Sequence, residues 1–84
     1  SFFSLHYLEP GTGPGLHTHP YPEIFITLEG EALITHGDER QVVRAGDIVI
    51  VPADTPHKFV SQGDVPLKQV DIHITDKMVQ VDLE

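Results

Sequence analysis

Residues 11–30 read GTGPGLHTHPYPEIFITLEG and set two histidines and a glutamate among turn-forming residues. In an extended strand, His17 and His19 point to the same face with Cβ atoms roughly 6–7 Å apart, so both imidazoles can reach one ion at about 2.1 Å. The segment Pro20–Pro22 cannot continue a strand ladder and predicts a turn. Glu23 then opens the next strand, and we predict a hairpin that presents its carboxylate to the same ion.

Residues 46–61 read GDIVIVPADTPHKFVS and supply a fourth candidate ligand. His57 begins a strand directly after the rigid segment 52–56, which starts and ends with proline, and we expect it to close the site from a neighbouring part of the fold. Imidazole and carboxylate groups together suit several divalent transition metals. The predicted metal ligands are therefore His17, His19, Glu23 and His57.

The rest of the chain is punctuated by Gly, Pro and Asp clusters about every eight to twelve residues, which is typical of an all-β sandwich or barrel. Nine Val, seven Ile and six Thr favour strands. No stretch of ten or more residues shows an apolar period of about 3.6, so no helix is predicted. The predicted strands are 3–8, 23–28, 31–35, 41–44, 48–51, 57–60 and 67–75, and the tail 76–84 is either an edge strand (78–83) or an irregular turn.

Side-chain alternation predicts two different faces for the strand at residues 23–28. The face that carries Glu23 alternates with an aliphatic face formed by Ile24, Ile26 and Leu28. If the first face looks into a barrel, the second must be covered by another sheet or another subunit. An 84-residue sandwich has little capacity to cover it alone, so we expect a homodimer.

Length and composition limit the number of domains and the kinds of partner that this protein can have. With 84 residues the chain has room for one domain, residues 1–84, and its start at Ser1 rather than Met leaves open that an N-terminal strand is missing. Thirteen acidic against five basic residues give a net charge of −8, which argues against nucleic acid as a partner. The absence of Cys excludes disulfides and thiolate ligands. No apolar run approaches the ~18 residues of a membrane span, so we expect a cytoplasmic protein without a membrane partner.

The two quoted stretches resemble the paired motifs of the small single-domain cupins. The first family motif, Gly, five residues, His-x-His, three or four residues, Glu, six residues and Gly, is present with every spacing kept at Gly11, His17, His19, Glu23 and Gly30. The second motif is present at Gly46, Pro52, Asp54, His57 and Ser61. Two positions depart from the family pattern, since Asp54 replaces a Gly and Ser61 replaces an Asn. Neither is a metal ligand in the family, and Asp tolerates a left-handed turn better than most residues.

The resemblance implies a double-stranded β-helix, the jelly-roll barrel, whose inward faces line a small pocket. It also implies that the four ligands hold one divalent transition metal ion (Mn, Fe, Ni, Cu or Zn) and leave two positions open on an octahedral ion. Two functions follow. The first is a metal-dependent enzyme, of the dioxygenase or isomerase/lyase type, that acts on a small oxygen-bearing molecule. The alternative is a non-catalytic module that binds metal and a small molecule.

Few other residues offer acid–base chemistry. Tyr7, Thr27, Ser61 and His73 are the candidates near the pocket, and none is a compelling general base. His36 is predicted to be a solvated residue at a hairpin tip, with no role in metal binding. The catalytic residues therefore stay unassigned.

Overall fold

A computed structural model describes residues 1–84 as nine β-strands and no helix. The strands are β1 (Phe2–Tyr7), β2 (His17–Thr18), β3 (Glu23–Glu29), β4 (Glu31–His36), β5 (Glu39–Arg44), β6 (Ile48–Val51), β7 (His57–Gln62), β8 (Leu67–His73) and β9 (Val81–Asp82). They form two antiparallel sheets with the orders β1-β8-β3-β6 and β5-β4-β7-β2-β9. The predicted all-β class is confirmed, and the chain has no helix of the length and apolarity needed to cross a membrane.

The predicted strands are present with ends shifted by at most two residues, and the tail forms β9 at the edge of its sheet. One predicted pairing is wrong. The strands that carry His17 and Glu23 are not a hairpin, because β2 pairs with β7 and β9 whereas β3 pairs with β6 and β8. The segment Pro20–Pro22 does turn the chain, but its prolines lack ladder donors, and the turn carries the chain from one sheet to the other.

The core lies between the two sheets. It consists of eight buried apolar side chains, Phe25, Ala32, Ile34, Val43, Val49, Val51, Phe59 and Leu67. The face of β3 that begins at Glu23 is buried, so its predicted inward orientation is confirmed. Both sheets therefore turn apolar side chains inward around the same interior that receives Glu23.

The opposite face of the four-stranded sheet is aliphatic on β8, β3 and β6, and its residues are exposed or only partly buried. Two cross-strand rows run over it, Phe2–Ile72–Ile24–Ile50 and Ser4–Val70–Ile26–Ile48. Ile48 and Ile50 are each 63% exposed, and Phe2 is 72% exposed. We call these eight residues the outer face.

Two tight turns support the motifs. Asp54 is the only residue other than glycine with a positive φ, 61°, and its N–H donates to the His19 carbonyl at 2.9 Å. The Asp that replaces a family glycine thus adopts the left-handed conformation expected of it. Gly30 has a φ of 81°, and a Cβ there would lie 2.5 Å from the Pro66 carbonyl oxygen. A side chain at this position would therefore clash with the backbone.

Candidate metal centre

The four predicted ligands converge in the barrel interior. His17 and His57 are paired neighbours on β2 and β7, while Glu23 comes from β3 in the other sheet. All four side chains are buried, and one ligand atom from each lies within 4.8 Å of the others. Ligand atoms that surround an ion at about 2.1 Å are separated by roughly 3 to 4.2 Å. The cluster could therefore hold one metal ion.

The backbone fixes the orientation of all three imidazoles. Each Nδ1 lies 2.7–2.8 Å from a carbonyl oxygen two residues away along the chain. The pairs are His17–Gly15, His19–Tyr21 and His57–Thr55. Because a carbonyl oxygen only accepts, each Nδ1 must carry the proton, and each Nε2 is free to present a lone pair to an ion.

Glu23 occupies the point on which these nitrogens converge. Its Oε1 lies 2.6 Å from His19 Nε2 and 3.0 Å from His57 Nε2. With Nδ1 protonated, a neutral imidazole at these distances would direct its lone pair at a carboxylate lone pair. A proton or a metal ion between the atoms removes this repulsion, so the donor set fits a bound cation.

The pKa shifts of the clustered groups favour the charge states that bind a metal ion. Burial alone would raise the pKa of Glu23, but hydrogen bonds with His57 and His19 and the nearby His73 outweigh it, and the pKa is lowered. Burial lowers the pKa of His17 and of His73. Metal ligands must be a carboxylate and neutral imidazoles, and these shifts favour that state of Glu23 and His17 at neutral pH.

Tyr21 and His73 support the cluster from one side. The Tyr21 hydroxyl lies 2.7 Å from His73 Nδ1, and His73 Nε2 lies 3.5 Å from Glu23 Oε2. The Tyr21 ring also stacks on His19, with centroids 4.2 Å apart. No role for Tyr21 is predicted from the sequence, although its place between two prolines, in the segment that joins the ligands, is a signal for one.

A cavity of about 200 Å³ opens beside the cluster. Tyr7 and His73 line it as expected, whereas Thr27 and Ser61 do not. Asp71, which the sequence analysis did not propose, also lines it. Burial, and then the adjacent charge of Glu23, raise the pKa of Asp71 to about 8.

The prediction for His36 is wrong in one respect. It is not a solvated turn residue, since it ends β4, pairs with His57 and has a side chain only 14% exposed. The turn begins one residue later, at Gly37, and strand alternation places His36 on the same face as Ile34. Its Nε2 nevertheless lies near Gln41 Oε1, at 3.4 Å, and it is not among the four clustered residues.

Comparisons with known families and relatives agree with this architecture. The family profile described as "Cupin domain" matches residues 4–73. An uncharacterized protein of Methanocaldococcus jannaschii is 44% identical over 54 residues, which cover 63% of this chain and 43% of the relative. The chain spans about half the length of the curated relatives it matches first.

Solved structures give the same fold. A cupin-like protein from Thermotoga maritima superimposes with a TM-score of 0.87 at 21% identity, over 98% of this chain and 62% of that one. The oxalate decarboxylase of Bacillus subtilis, a protein with Mn(II) centres, superimposes with a TM-score of 0.83 at 28% identity, over 98% of this chain and 22% of that one. The double-stranded β-helix expected from the motifs is confirmed.

Proposed function

We propose that this chain, which belongs to the cupin domain family, binds one divalent transition metal ion in its barrel and acts there on a small oxygen-bearing molecule. The observation that carries the proposal is the set of three imidazoles whose Nδ1 atoms are tied to carbonyls while their ring edges converge on one carboxylate. The ion would be Mn, Fe, Ni, Cu or Zn. The residues that would hold it are His17, His19, Glu23 and His57.

A bound ion of this kind supplies Lewis acidity and, where the metal is redox-active, chemistry with O2. The chain's own residues supply positioning. His73 lies between the Tyr21 hydroxyl and Glu23, so it restrains the carboxylate. Asp71 has a raised pKa and holds a proton at neutral pH inside the cavity. A proton donor beside the cluster favours an enzyme, of the dioxygenase or isomerase/lyase type, and the likeness to an oxalate decarboxylase with Mn(II) centres supports a metal-dependent reaction.

The second candidate is a non-catalytic module that binds metal and a small molecule. It is favoured by the scarcity of groups for proton transfer in the cavity. Apart from the ligands and the Tyr21-bound His73, the cavity walls offer only Asp71 and Tyr7 as titratable groups. An enzyme that needs both an acid and a base would have to use these two or recruit a ligand.

We also propose that residues 1–84 form one domain and that two copies pair through the outer face. The support is the continuity of the aliphatic rows across β8, β3 and β6, which Phe2 extends onto β1. Exposed apolar surface of this kind is typical of interaction sites. The cytoplasmic location stays a prediction.

The test begins with elemental analysis of protein purified without oxygen. O2 consumption and product formation are then screened for each of the five metals with a panel of small carbonyl and phenolic compounds. One ion per chain together with turnover supports the enzyme, and one ion with saturable binding but no turnover supports the module. Failure to bind any of the five metals after reconstitution would overturn both.

A further inference from the structure

The cavity beside the metal cluster is buried on its inner side and apolar over most of its wall. Five of its lining residues are each at most 6% exposed: His17, Glu23, Phe59, Asp71 and His73. The apolar lining is completed by Phe3, Leu5, Pro14 and Met78. A molecule that enters the cavity exchanges water on its inner side for surroundings that solvate charge poorly, so the net charge of the complex matters for binding.

The ionisable groups of the cavity wall supply no fixed positive charge, and neither Lys nor Arg lines it. Its acids are Glu23 and Asp71, and a carboxyl group is either neutral or negative. Its histidines are His17 and His73, and an ordinary imidazole, with a pKa of about 6.5, is mostly neutral at pH 7.5. A bound metal ion would therefore be the source of positive charge for a ligand.

The five basic residues of the chain lie elsewhere. Three of them pair with carboxylates at 3.0–3.7 Å, as Arg44–Glu31, Lys58–Glu84 and Lys68–Glu29. Arg40 and Lys77 are exposed. Lys77 precedes Met78, a lining residue that lies outside the strands, so strand alternation does not keep its side chain away from the cavity rim. A test of the charge of the cavity must therefore include the removal of Lys77.

The charge balance at the cluster distinguishes between classes of ligand. A divalent ion carries two positive charges, and the carboxylate of Glu23 neutralises one of them. A ligand with one negative charge would neutralise the other. A dianion would instead leave a net negative charge next to apolar side chains and carboxyl groups, and an unpaired buried charge is strongly unfavourable.

We propose that this cavity selects a small monocarboxylate with an apolar body and an oxygen on the carbon next to the carboxylate, a 2-oxo or 2-hydroxy acid, and discriminates against dicarboxylates. This inference rests on the proposed function, because the bound ion supplies the positive charge. The carboxylate and the neighbouring oxygen would take the two positions that the four ligands leave open. The body of the acid would lie against Phe3, Leu5 and Phe59 in a cavity of about 200 Å³.

The experiment compares pyruvate with oxalate by calorimetry at pH 7.5, on the full chain loaded with Zn(II), which oxidises neither compound. The two have the same number of non-hydrogen atoms, and the methyl group of pyruvate replaces a charged oxygen of oxalate. The parent should bind pyruvate at least about threefold more tightly than oxalate. 2-Oxobutanoate, which has one methylene more, should bind about fourfold more tightly than pyruvate. Oxalate bound as tightly as pyruvate, or no gain from the methylene, would overturn the inference.

Variants at the cavity rim test the role of charge directly. Met78→Lys adds a cation, so it should shift the preference towards oxalate by about tenfold. Met78→Gln, which is polar but uncharged, is the matched control and should leave the preference unchanged. Equal preferences in these two variants would count against the proposal. Lys77→Gln should also change nothing, and a loss of pyruvate affinity in this variant would identify Lys77 as a positive charge of the site and overturn the inference.

Zinc analysis of the same samples keeps this inference apart from the proposed function. If the parent holds one zinc ion per chain and still prefers oxalate, the inference about charge fails and the metal proposal stands. If the parent holds no zinc, the metal proposal fails, and the inference fails with it.

Discussion

The two faces of β8 show the reverse of the usual distribution of polar and apolar side chains. Its inward face, from Leu67 to His73, includes Gln69 and Asp71 and is buried. Its outward face carries Val70 and Ile72, which are only half-buried. A strand selected for the stability of an isolated domain would place the aliphatic side chains inside and the polar ones outside.

The inward face therefore has the features of a binding site, and the outward face those of an interface. Inside, buried polar groups are retained at a cost in stability, which is the expected sign of a binding site. Outside, an aliphatic surface continues over β3 and β6, which is the expected sign of an interface. A change inside should alter binding, protonation and stability together, whereas a change outside should alter association alone.

The largest expected effect is a pH-dependent change in the free energy of unfolding when Asp71, on the inward face of β8, is replaced. Its pKa is raised from 3.8 to about 8 by burial and then by Glu23, so the native state holds its proton more tightly than the unfolded chain does. Its contribution is most favourable below the ordinary pKa and is lost as pH rises through about 8. In metal-free protein, Asp71→Asn should therefore stabilise the fold by a few kcal/mol more at about pH 8 than at about pH 5.

Urea unfolding with a chelator present measures this difference. His17 and His73 are present in both proteins, so their own titrations cancel to first order, whereas the interaction of Asp71 with Glu23 is part of the measured difference. Val70→Asn, a change on the outward face of the same strand, is the matched control and should show no such pH dependence. An equal gain in the free energy of unfolding at both pH values would mean that the pKa of Asp71 is not raised in the native state.

The second effect concerns the metal. His57→Ala removes one of four clustered ligand atoms, and the affinity for Zn(II) should fall by about a hundredfold or more. The matched control is His36→Ala, since His36 is the cross-strand partner of His57 but its Nε2 lies near Gln41. Competition with a chelator gives both affinities. Equal affinities in the two variants would show that the ligand assignment is wrong.

The fold and the cluster of four metal ligands could be predicted from the sequence because both depend on local patterns. Turn spacing located the strands, and the spacing around His17, Glu23 and His57 placed their side chains in one interior. The β2–β3 hairpin was wrong because β2 pairs with β7, forty residues away by the His17–His57 register, and local patterns do not report such pairing.

The role of Asp71 was missed for a different reason. Alternation along β8 shows that its two faces differ, but not which of them is buried. The ordinary expectation puts Val70 and Ile72 inside, and the structure does the opposite. The burial of Asp71 and its place in the cavity wall depend on how the two sheets pack, which local alternation does not report.

The third effect is confined to the outer face. Ile50→Glu places a charge beside Ile24, at the β6 end of an aliphatic row, so it should weaken the proposed homodimer by about tenfold or more. Val42→Glu, at an exposed position of the other sheet, is the control and should leave association unchanged. Light scattering over a concentration series reports both. A parent chain that is monomeric at tens of micromolar would remove the homodimer proposal.

The smallest expected effect is the loss of one methyl group, which can be compared between the core and the outer face. Ile34 is fully buried between them, and Ile34→Val should cost about 1 kcal/mol of unfolding free energy because it leaves a small cavity that the core cannot fill. Ile50 is 63% exposed, and Ile50→Val removes a methyl group that water already reaches, so at concentrations that keep the chain monomeric its effect should be within about 0.5 kcal/mol of zero. At concentrations that favour pairing, the Ile50 variant should lose stability as well, since the same methyl group is then buried by the partner. Urea unfolding at two protein concentrations measures both terms, and a cost for Ile50→Val that does not change with concentration would mean that the outer face is not an interface.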